Sequence, residues 1–273
     1  RLLGDALREQ GVTVAWNTEL VGLAQAPDRV IARLKQPDGT TREVSAAWVA
    51  GCDGARSAVR DLSGIAFHGA PYEHVFFVAD TRATGSMVPG ELNVYLWRSG
   101  FHLFFPMRGP DHWRVVGILP SELRAQDGLD FDAVAPSVRR EVGSGLSFHA
   151  CSWFSIYRIH HRRAERFRDG RCFVLGDAAH IHSPVGAQGM NTGIQDAWNL
   201  GWKLATVVQG RAVAQILDSY HAERWPVGRT LLRATDRLFG AFAKSVSGSE
   251  FFMTLRRVVV RGVVRTVARG AWA

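Results

Sequence analysis

The feature that most constrains this 273-residue chain is a short apolar run followed at once by a Gly-Asp turn and a long helix. Residues 171–175 have the pattern of a short buried strand, and Asp177 follows just beyond it. Apolar and small residues then repeat at helical spacing up to Gly210: Ile194, Ala197, Trp198, Gly201, Leu204, Ala205 and Val208. This order is typical of an α/β sheet, in which ligands collect beyond the carboxyl ends of the strands.

The turn between this strand and this helix is suited to a flat, anionic ligand. It reads Gly-Asp-Ala-Ala-His-Ile-His-Ser-Pro-Val-Gly-Ala-Gln-Gly-Met-Asn over residues 176–191. The Asp177 carboxylate can accept hydrogen bonds from polyol hydroxyls, and Gly186 and Gly189 lack a Cβ, so the backbone can approach a ring closely. A helix that begins near Asn191 presents unpaired N–H groups and a positive dipole end, which favour an anion.

A second segment has the same arrangement. Residues 46–51 form an apolar run that ends at a glycine, and Asp53-Gly54 then leads into a predicted helix start. Arg56 and Arg60 are four residues apart in the sequence. We therefore expect both to face the same way on this helix and to offer forked donors to a phosphate.

Together, the two segments resemble the DG and GD motifs of the group A flavoprotein monooxygenases, the p-hydroxybenzoate hydroxylase-like aromatic hydroxylases. The resemblance extends to residues 9–12 (Glu-Gln-Gly-Val), the Asp38-Gly39 hairpin and residues 220–226 (Tyr-His-Ala-Glu-Arg-Trp-Pro), and so covers most of residues 1–240. One position departs from the family pattern. The family usually has Gly where Ala187 stands, and an alanine there requires a backbone with negative φ.

The resemblance implies a fold, an activity and cofactors. The implied fold class is α/β: a partial, Rossmann-like FAD-binding domain with an inserted mixed β-sheet substrate domain and C-terminal helices. The implied activity is hydroxylation of an aromatic or polyketide-like ring by FAD, NAD(P)H and O2, through a flavin C4a-hydroperoxide. The cofactor carries the difficult step, and the protein positions it and excludes water.

The resemblance also implies site residues. Asp177 would bind the ribityl or pyrophosphate region of FAD, Pro184 would lie beside the isoalloxazine, and the amides that follow Gln188 would contact its pyrimidine edge. The DG motif would contribute to both FAD and NAD(P)H binding. The predicted cofactor-binding residues are Asp53, Gly54, Arg60, Gly176, Asp177, Pro184, Gly186, Ala187, Gln188, Gly189, Met190 and Asn191. Tyr95, Arg98 and His102 are candidate substrate contacts, with a surface or wall position as the alternative; no catalytic residue is predicted.

The predicted elements divide the chain into four parts. Residues 1–64 are the first part of the FAD-binding domain, 65–160 a sheet-rich substrate domain, 161–240 the second part of the FAD-binding domain and 241–273 a helical tail. The first part is predicted to contain a helix over residues 1–10 and strands over 12–16, 19–24, 29–35 and 41–45. No G-x-G-x-x-G segment occurs in the chain, although these enzymes open with one, so we expect a fragment truncated at its N-terminus.

Other functions are weighed against this one. A flavin-dependent halogenase would resemble the fold but carries Trp-x-Trp-x-Ile-Pro where residues 100–106 read Gly-Phe-His-Leu-Phe-Phe-Pro. A non-catalytic remnant or binding module is the alternative from another class. No metal site is predicted, because His180 and His182 would not converge with Asp177 in either a helix or a strand. Ser183 lacks the G-x-S-x-G elbow of a hydrolase.

The charge and cysteine content of the sequence indicate which kinds of binding partner and which cell compartment to expect. The net charge of +8 comes from arginines spread along the chain without interleaved aromatics, so we predict no nucleic-acid binding but a surface that attracts an anionic cofactor or substrate. Three unpaired cysteines indicate a cytoplasmic protein, and no apolar run predicts a transmembrane helix. Arginines 257, 261, 265 and 269 predict a solvated surface helix rather than one that lies on a membrane. The substrate, the choice between NADH and NADPH, and homo-oligomerisation stay open.

Overall fold

The computed structural model describes residues 2–97, 100–126, 128–143, 145–182 and 188–243, with side chains described up to residue 237. Its helices are α1 (Leu2–Glu9), α2 (Ala58–Leu62), α3 (Phe131–Val142), α4 (Gly189–Val208) and α5 (Asp218–Ala243). Its strands are β1 (Glu19–Gln25), β2 (Val30–Lys35), β3 (Thr41–Ala46), β4 (Val49–Gly51), β5 (Phe67–Thr84), β6 (Asn93–Trp97), β7 (Gly100–Pro106), β8 (His112–Ile118), β9 (Ser147–Ala164), β10 (Arg168–Asp169), β11 (Cys172–Val174) and β12 (His180–Ile181). The predicted site residues Arg98, Pro184, Gly186 and Ala187, together with Ser183 and the arginine-rich tail, lie outside the described residues.

The described chain divides into two compact units. Unit 1 contains the chain up to His68 together with Arg163–Ile181 and Gly189–Gly228. Unit 2 contains Gly69–Arg162, together with His182, Gln188 and the residues from Arg229 onward. The predicted domain scheme, with boundaries at 64, 160 and 240, stays a prediction.

Unit 1 is built on two small sheets. Strands β1, β2 and β3 form an antiparallel sheet, and the second sheet has the order β10-β11-β4, with β11 parallel to β4. The residues of β11 are fully buried, in a core that also contains Leu217 and Tyr220 from the C-terminal helical segments. Burial on both faces explains why β11 is a continuous apolar run rather than an alternating one.

The strands of unit 2 belong to a six-stranded sheet with the order β12-β9-β5-β8-β7-β6. Helix α3 covers one face, where Val134 and Val138 pack with Phe77 and Phe104. Because successive side chains of a strand point to opposite faces, Phe76 lies on the other face. There it belongs to a separate apolar cluster of buried residues: Phe76, Phe101, Ile118 and Ile159.

The predicted α/β class with C-terminal helices is confirmed, as is the helix predicted over residues 1–10. The strand predicted over residues 12–16 is wrong. Residues 12–15 have no regular structure, and Val12, Val14 and Trp16 are exposed. A strand requires a hydrogen-bonded neighbour, and none of the described strands pairs with this segment. No helix within the described residues is both long enough and apolar enough to cross a bilayer.

Candidate functional site

The two predicted motifs lie side by side because the strands that precede them are parallel neighbours. Val49 pairs with Cys172 and Gly51 with Val174, and the amide of Leu175 donates to the Gly51 carbonyl at 3.0 Å. The two strands therefore end at the same side of the sheet, where β4 leads into Asp53-Gly54 and β11 leads into Gly176-Asp177. The tertiary structure thus joins segments far apart in the sequence, at the sheet edge where open α/β sheets bind ligands.

Asp53 orders the start of α2. Its Oδ2 accepts a hydrogen bond from the Val59 amide at 3.0 Å, while the buried Ser57 caps the helix by accepting from the Arg60 amide at 3.0 Å. Gly51 allows the helix to pack closely on β4, since a Cβ at this position would stand 2.7 Å from Cβ of Val59. The backbone N–H groups of this turn are therefore held in a defined arrangement.

Arg60 joins the two motifs from within the protein. Its guanidinium Nη1 donates to the carbonyls of Ala55, at 3.1 Å, and Ala178, at 3.3 Å, and it lies 4.0 Å from the ring centroid of Phe67. The expectation that Arg56 and Arg60 face the same way is wrong. Arg56 precedes the helix and is exposed, whereas Arg60 lies inside it and is buried. Arg60 is placed to hold the two turns together, and Arg56 is the arginine whose charge reaches solvent.

The Gly176-Asp177 turn packs directly on α4. Gly176 has a φ of +55°, and a Cβ there would stand 3.5 Å from Cα of Gly193. The next residue, Asp177, is exposed, and no described residue hydrogen-bonds its carboxylate. At the start of α4, Met190 and Asn191 are exposed as well, and Gly189 is partly so. A carboxylate that no described residue binds and the N-terminus of α4 therefore lie on elements that pack against each other.

Asp196 is the residue at this site that the sequence analysis missed. It is fully buried on α4, where Oδ2 accepts from the Gly176 amide at 3.2 Å and from Nε2 of His180 at 2.7 Å, and Oδ1 accepts from Nε of Arg224 at 2.6 Å. Burial by itself would raise the pKa of this carboxyl, but the hydrogen bonds and charges of His180 and Arg224 hold the pKa below its ordinary value. Asp196 is therefore a buried, ionised group that binds the Gly176 turn.

The residue pattern of α4 gave no local signal for Asp196. Most of the apolar stripe of α4 does not face the core of unit 1: Ile194, Trp198 and Val208 are exposed by 57%, 73% and 69%, whereas Leu204 packs against that core. The buried residues of the helix are instead Thr192, Asp196, Leu200 and Lys203. Polar residues at helical spacing opposite an apolar stripe normally mark the solvated face of a helix, so the sequence pattern does not predict that Asp196 is buried.

The segment 220–226 anchors α5 to unit 1. The Tyr220 hydroxyl donates to the Val174 carbonyl at 2.9 Å, and Nε1 of Trp225 donates to the Ala164 carbonyl at 3.2 Å. Glu223 accepts from the buried Lys203 at 2.7 Å. Hydrogen bonds from Asn199 and Lys203 lower the pKa of Glu223 to about 2. The side chains that carried the family resemblance here are thus mainly packing and pairing residues.

The described substrate candidates lie on the α3 face of the sheet in unit 2. His102 is fully buried, and its Nε2 is 2.7 Å from Oε2 of Glu141 on α3. Burial lowers the pKa of His102, against the opposing effect of Glu141. Tyr95 pairs with His102 across β6 and β7 and packs edge-on against Phe104 at 5.3 Å. The position of His102 gives no support to a substrate contact. Among the described residues, no group of three or more His, Cys, Asp or Glu could hold a metal ion.

A comparison with known families decides which family shares this arrangement. The profile of the family described as "FAD binding domain" matches residues 1–235. The chain belongs to this FAD-binding domain family. The predicted resemblance to the group A FAD-dependent aromatic monooxygenases is confirmed.

Individual relatives of this chain are about twice its length. It is similar to 6-methylpretetramide 4-monooxygenase from Streptomyces rimosus, at 39% identity over 238 residues, 86% of this chain and 42% of that protein. A dialkyldecalin synthase from Streptomyces rugosporus is 37% identical over 239 residues, 86% of this chain and 50% of that protein. Among solved structures, the anhydrotetracycline hydroxylase OxyS from Streptomyces rimosus superposes with a TM-score of 0.79 at 31% identity, covering 98% of this chain and 54% of that one. The chain thus spans about half the length of the relatives it matches.

Proposed function

We propose that the full-length protein carrying this chain is an FAD- and NAD(P)H-dependent monooxygenase that hydroxylates an aromatic or polyketide-like substrate. The observation that carries the proposal is the parallel pairing of β4 with β11, which places the Asp53-Gly54 and Gly176-Asp177 turns at one edge of the sheet. The names of the relatives support hydroxylation over halogenation. FAD, when bound, supplies the redox chemistry that activates O2.

The residues at this edge fit FAD. The Asp177 carboxylate is exposed and able to accept hydrogen bonds from ribityl or ribose hydroxyls. The Gly54 turn has open space beside it, since a Cβ there would meet no atom within 4 Å. The positive dipole end at the start of α4, where Met190 and Asn191 are exposed, favours the anionic edge of a reduced flavin. We assign contacts with the riboflavin side of FAD to one group of residues: Gly176, Asp177, Gln188, Gly189, Met190 and Asn191. Asp53 and Gly54, in the other turn, also contribute to FAD binding.

The sheet face of unit 2 opposite α3 fits an aromatic substrate. Phe76 lies 6.2 Å from Phe101 and 6.0 Å from Tyr157, measured between ring centroids, and half-buried Leu96 and Leu103 pack against the same cluster. Most of a ring-shaped substrate's surface is buried against apolar and aromatic side chains, with a few polar groups that fix its orientation. We propose this face as a wall of the substrate site.

The reductant and the location of the protein belong to the same proposal. NAD(P)H carries a pyrophosphate, and the exposed Arg56 lies next to the Gly54 turn, where a guanidinium can pair with phosphate oxygens. All three cysteines are free, with Cys52 and Cys151 exposed, as expected of a protein in the reducing cytoplasm.

The proposal is tested on purified full-length protein. We expect a flavin spectrum, oxidation of NAD(P)H that an electron-rich aromatic polyketide accelerates, and one atom from ¹⁸O2 in the product. A protein that takes up no FAD on reconstitution would contradict the cofactor assignment. A protein that converts the substrate without O2 or NAD(P)H, into a product of unchanged mass, would contradict oxygenation and point to the cyclising chemistry that the name of the dialkyldecalin synthase indicates.

A further inference from the structure

Asp196, a buried residue of α4, binds both the Gly176 turn and α5 through its one carboxylate. One carboxylate oxygen accepts from Gly176 and His180, and the other from Arg224. The carboxylate is fully buried, and the Arg224 side chain is 11% exposed. An ionised carboxylate is costly to bury, and only a complete set of donors makes it tolerable.

The contacts of Asp196 act on backbone geometry rather than on a ligand. Gly176 adopts a left-handed conformation, with φ of +55°, and lies against Gly193 of α4. The Asp196 bond to the Gly176 amide adds a second constraint on the residue that immediately precedes Asp177. His180, which donates to the same oxygen, fixes the chain three residues after Asp177. Gly228 of α5 packs closely on the His180 ring, since a Cβ at Gly228 would stand 3.3 Å from Cδ2 of that ring. Asp177 is therefore held on both sides by one carboxylate.

We propose that Asp196 is a positioning residue for FAD: its charge holds the 176–180 turn against α4, so that the Asp177 carboxylate and the amides at the start of α4 meet the cofactor together. Asp196 does not touch the cofactor itself. The proposal rests on the proposed placement of FAD at Asp177. Preorganisation of this kind raises affinity because the turn does not have to be ordered when the ligand binds.

The test is a double-mutant cycle on the full-length apoprotein, with the dissociation constant for FAD measured by flavin fluorescence and the thermal midpoint of the apoprotein measured beside it. The variants are Asp196→Asn, which keeps the shape but removes the charge, Asp177→Ala, and the double variant. We expect Asp196→Asn to weaken FAD binding about tenfold or more in the parent and less than about threefold in the Asp177→Ala background, because coupled sites are not additive. A purely stabilising residue would give equal factors in both backgrounds.

Lys203→Met is the matched control. Lys203 is also buried on α4 and paired with α5, through Glu223, but it contacts neither the turn nor His180. It should lower the thermal midpoint while leaving FAD affinity within about twofold, additively with Asp177→Ala. If Asp196→Asn does not fold, Arg224→Lys replaces it in the cycle, since a lysine keeps the charge but loses the directed Nε–H bond.

The outcomes separate the two proposals. Unchanged FAD affinity in Asp177→Ala overturns the placement of FAD at this turn. Weakened affinity in Asp177→Ala together with unchanged affinity in folded Asp196→Asn, or with equal loss in both backgrounds, overturns the positioning role alone.

Discussion

At the scale of single residues, two carboxylates of the same site have opposite surroundings. Asp177 is exposed and accepts no hydrogen bond from a described residue, whereas Asp196 is buried and accepts three. An unpaired carboxylate is free to bind a ligand, and a fully paired one is committed to the protein. The two residues therefore have different expected effects on cofactor binding and on stability.

Replacing Asp177 by alanine should weaken FAD binding to the full-length protein with little change in its thermal midpoint. The lost charge-assisted hydrogen bond contributes about 1.5–3 kcal/mol, which corresponds to roughly a ten- to hundredfold increase in the dissociation constant. Flavin occupancy after extensive dialysis measures the effect. Asp28→Ala, at an exposed carboxylate paired only with its neighbour Arg29, is the control and should keep its flavin. Equal occupancy in the two variants would remove Asp177 from the site.

Glu223 gives a prediction about pH. Its pKa is about 2 in the folded protein against an ordinary 4.5, so its contribution to stability is complete above pH 4.5 and is lost as the pH falls toward 2. Glu223→Gln should lower the thermal midpoint at pH 7, because buried Lys203 loses its charged partner and keeps only the neutral Asn199, and should flatten the decline of the midpoint between pH 4.5 and 2. Glu9→Gln, on the exposed helix α1, should follow the parent curve. If the two variants gave the same dependence of the thermal midpoint on pH, Glu223 would not be the residue whose low pKa stabilises the protein.

At the scale of elements, α4 has a polar buried face and an apolar exposed face within unit 1. Asp196 and Lys203 are buried, while Trp198 and Trp202 are exposed by 73% and 42%. The polar face is stabilised because each of its charges has a partner on α5. The first turn of the helix remains accessible, as a ligand that binds to its amides requires.

Gly189→Val should abolish flavin binding while the protein still folds, because a branched side chain would fill the space where the flavin edge approaches the backbone. The matched control is Gly201→Val in the same helix, where a Cβ would meet nothing within 4 Å. The control introduces the same β-branched side chain into the same helix and should stay yellow. Flavin absorbance per protein and circular dichroism are the two measurements. A Gly189→Val variant with full flavin and full activity would refute the close-approach argument.

At the scale of the whole molecule, several large apolar side chains of the described residues are exposed to solvent. Leu2 and Leu3 of α1 are exposed by 87% and 81%, and Trp16 by 77%, in addition to the stripe on α4. Strand β4 lies at the edge of its sheet among the described strands. Apolar patches and unpaired strand edges of this kind indicate surfaces that another segment or partner covers. The relatives, which are about twice as long, have further chain available for this purpose.

Residues 1–273 expressed alone should therefore be colourless, poorly soluble or partner-dependent, and unable to oxidise NAD(P)H. Co-expression with the remainder of a relative's chain should restore flavin binding if the two pieces dock. Size-exclusion chromatography with absorbance at flavin wavelengths measures both outcomes. A soluble, monomeric, yellow protein from these residues alone that turns over NAD(P)H would show that the exposed surfaces and the cofactor site need no further segment.

The sequence by itself determined the elements and motifs whose signal is local. The buried strand 172–174, the turn at Asp177, helix α1 and the family resemblance all follow from short patterns, because strand, turn and helix preferences act over a few residues. Only the tertiary structure decided which strands pair, which side chains are buried and which helix faces are in contact. It paired β4 with β11, buried Arg60 but not Arg56, placed His102 under α3, and turned the polar side of α4 toward Arg224. These outcomes depend on contacts between residues far apart in the chain. A buried charge is stable only where distant partners converge on it, and no pattern of neighbouring residues specifies that convergence.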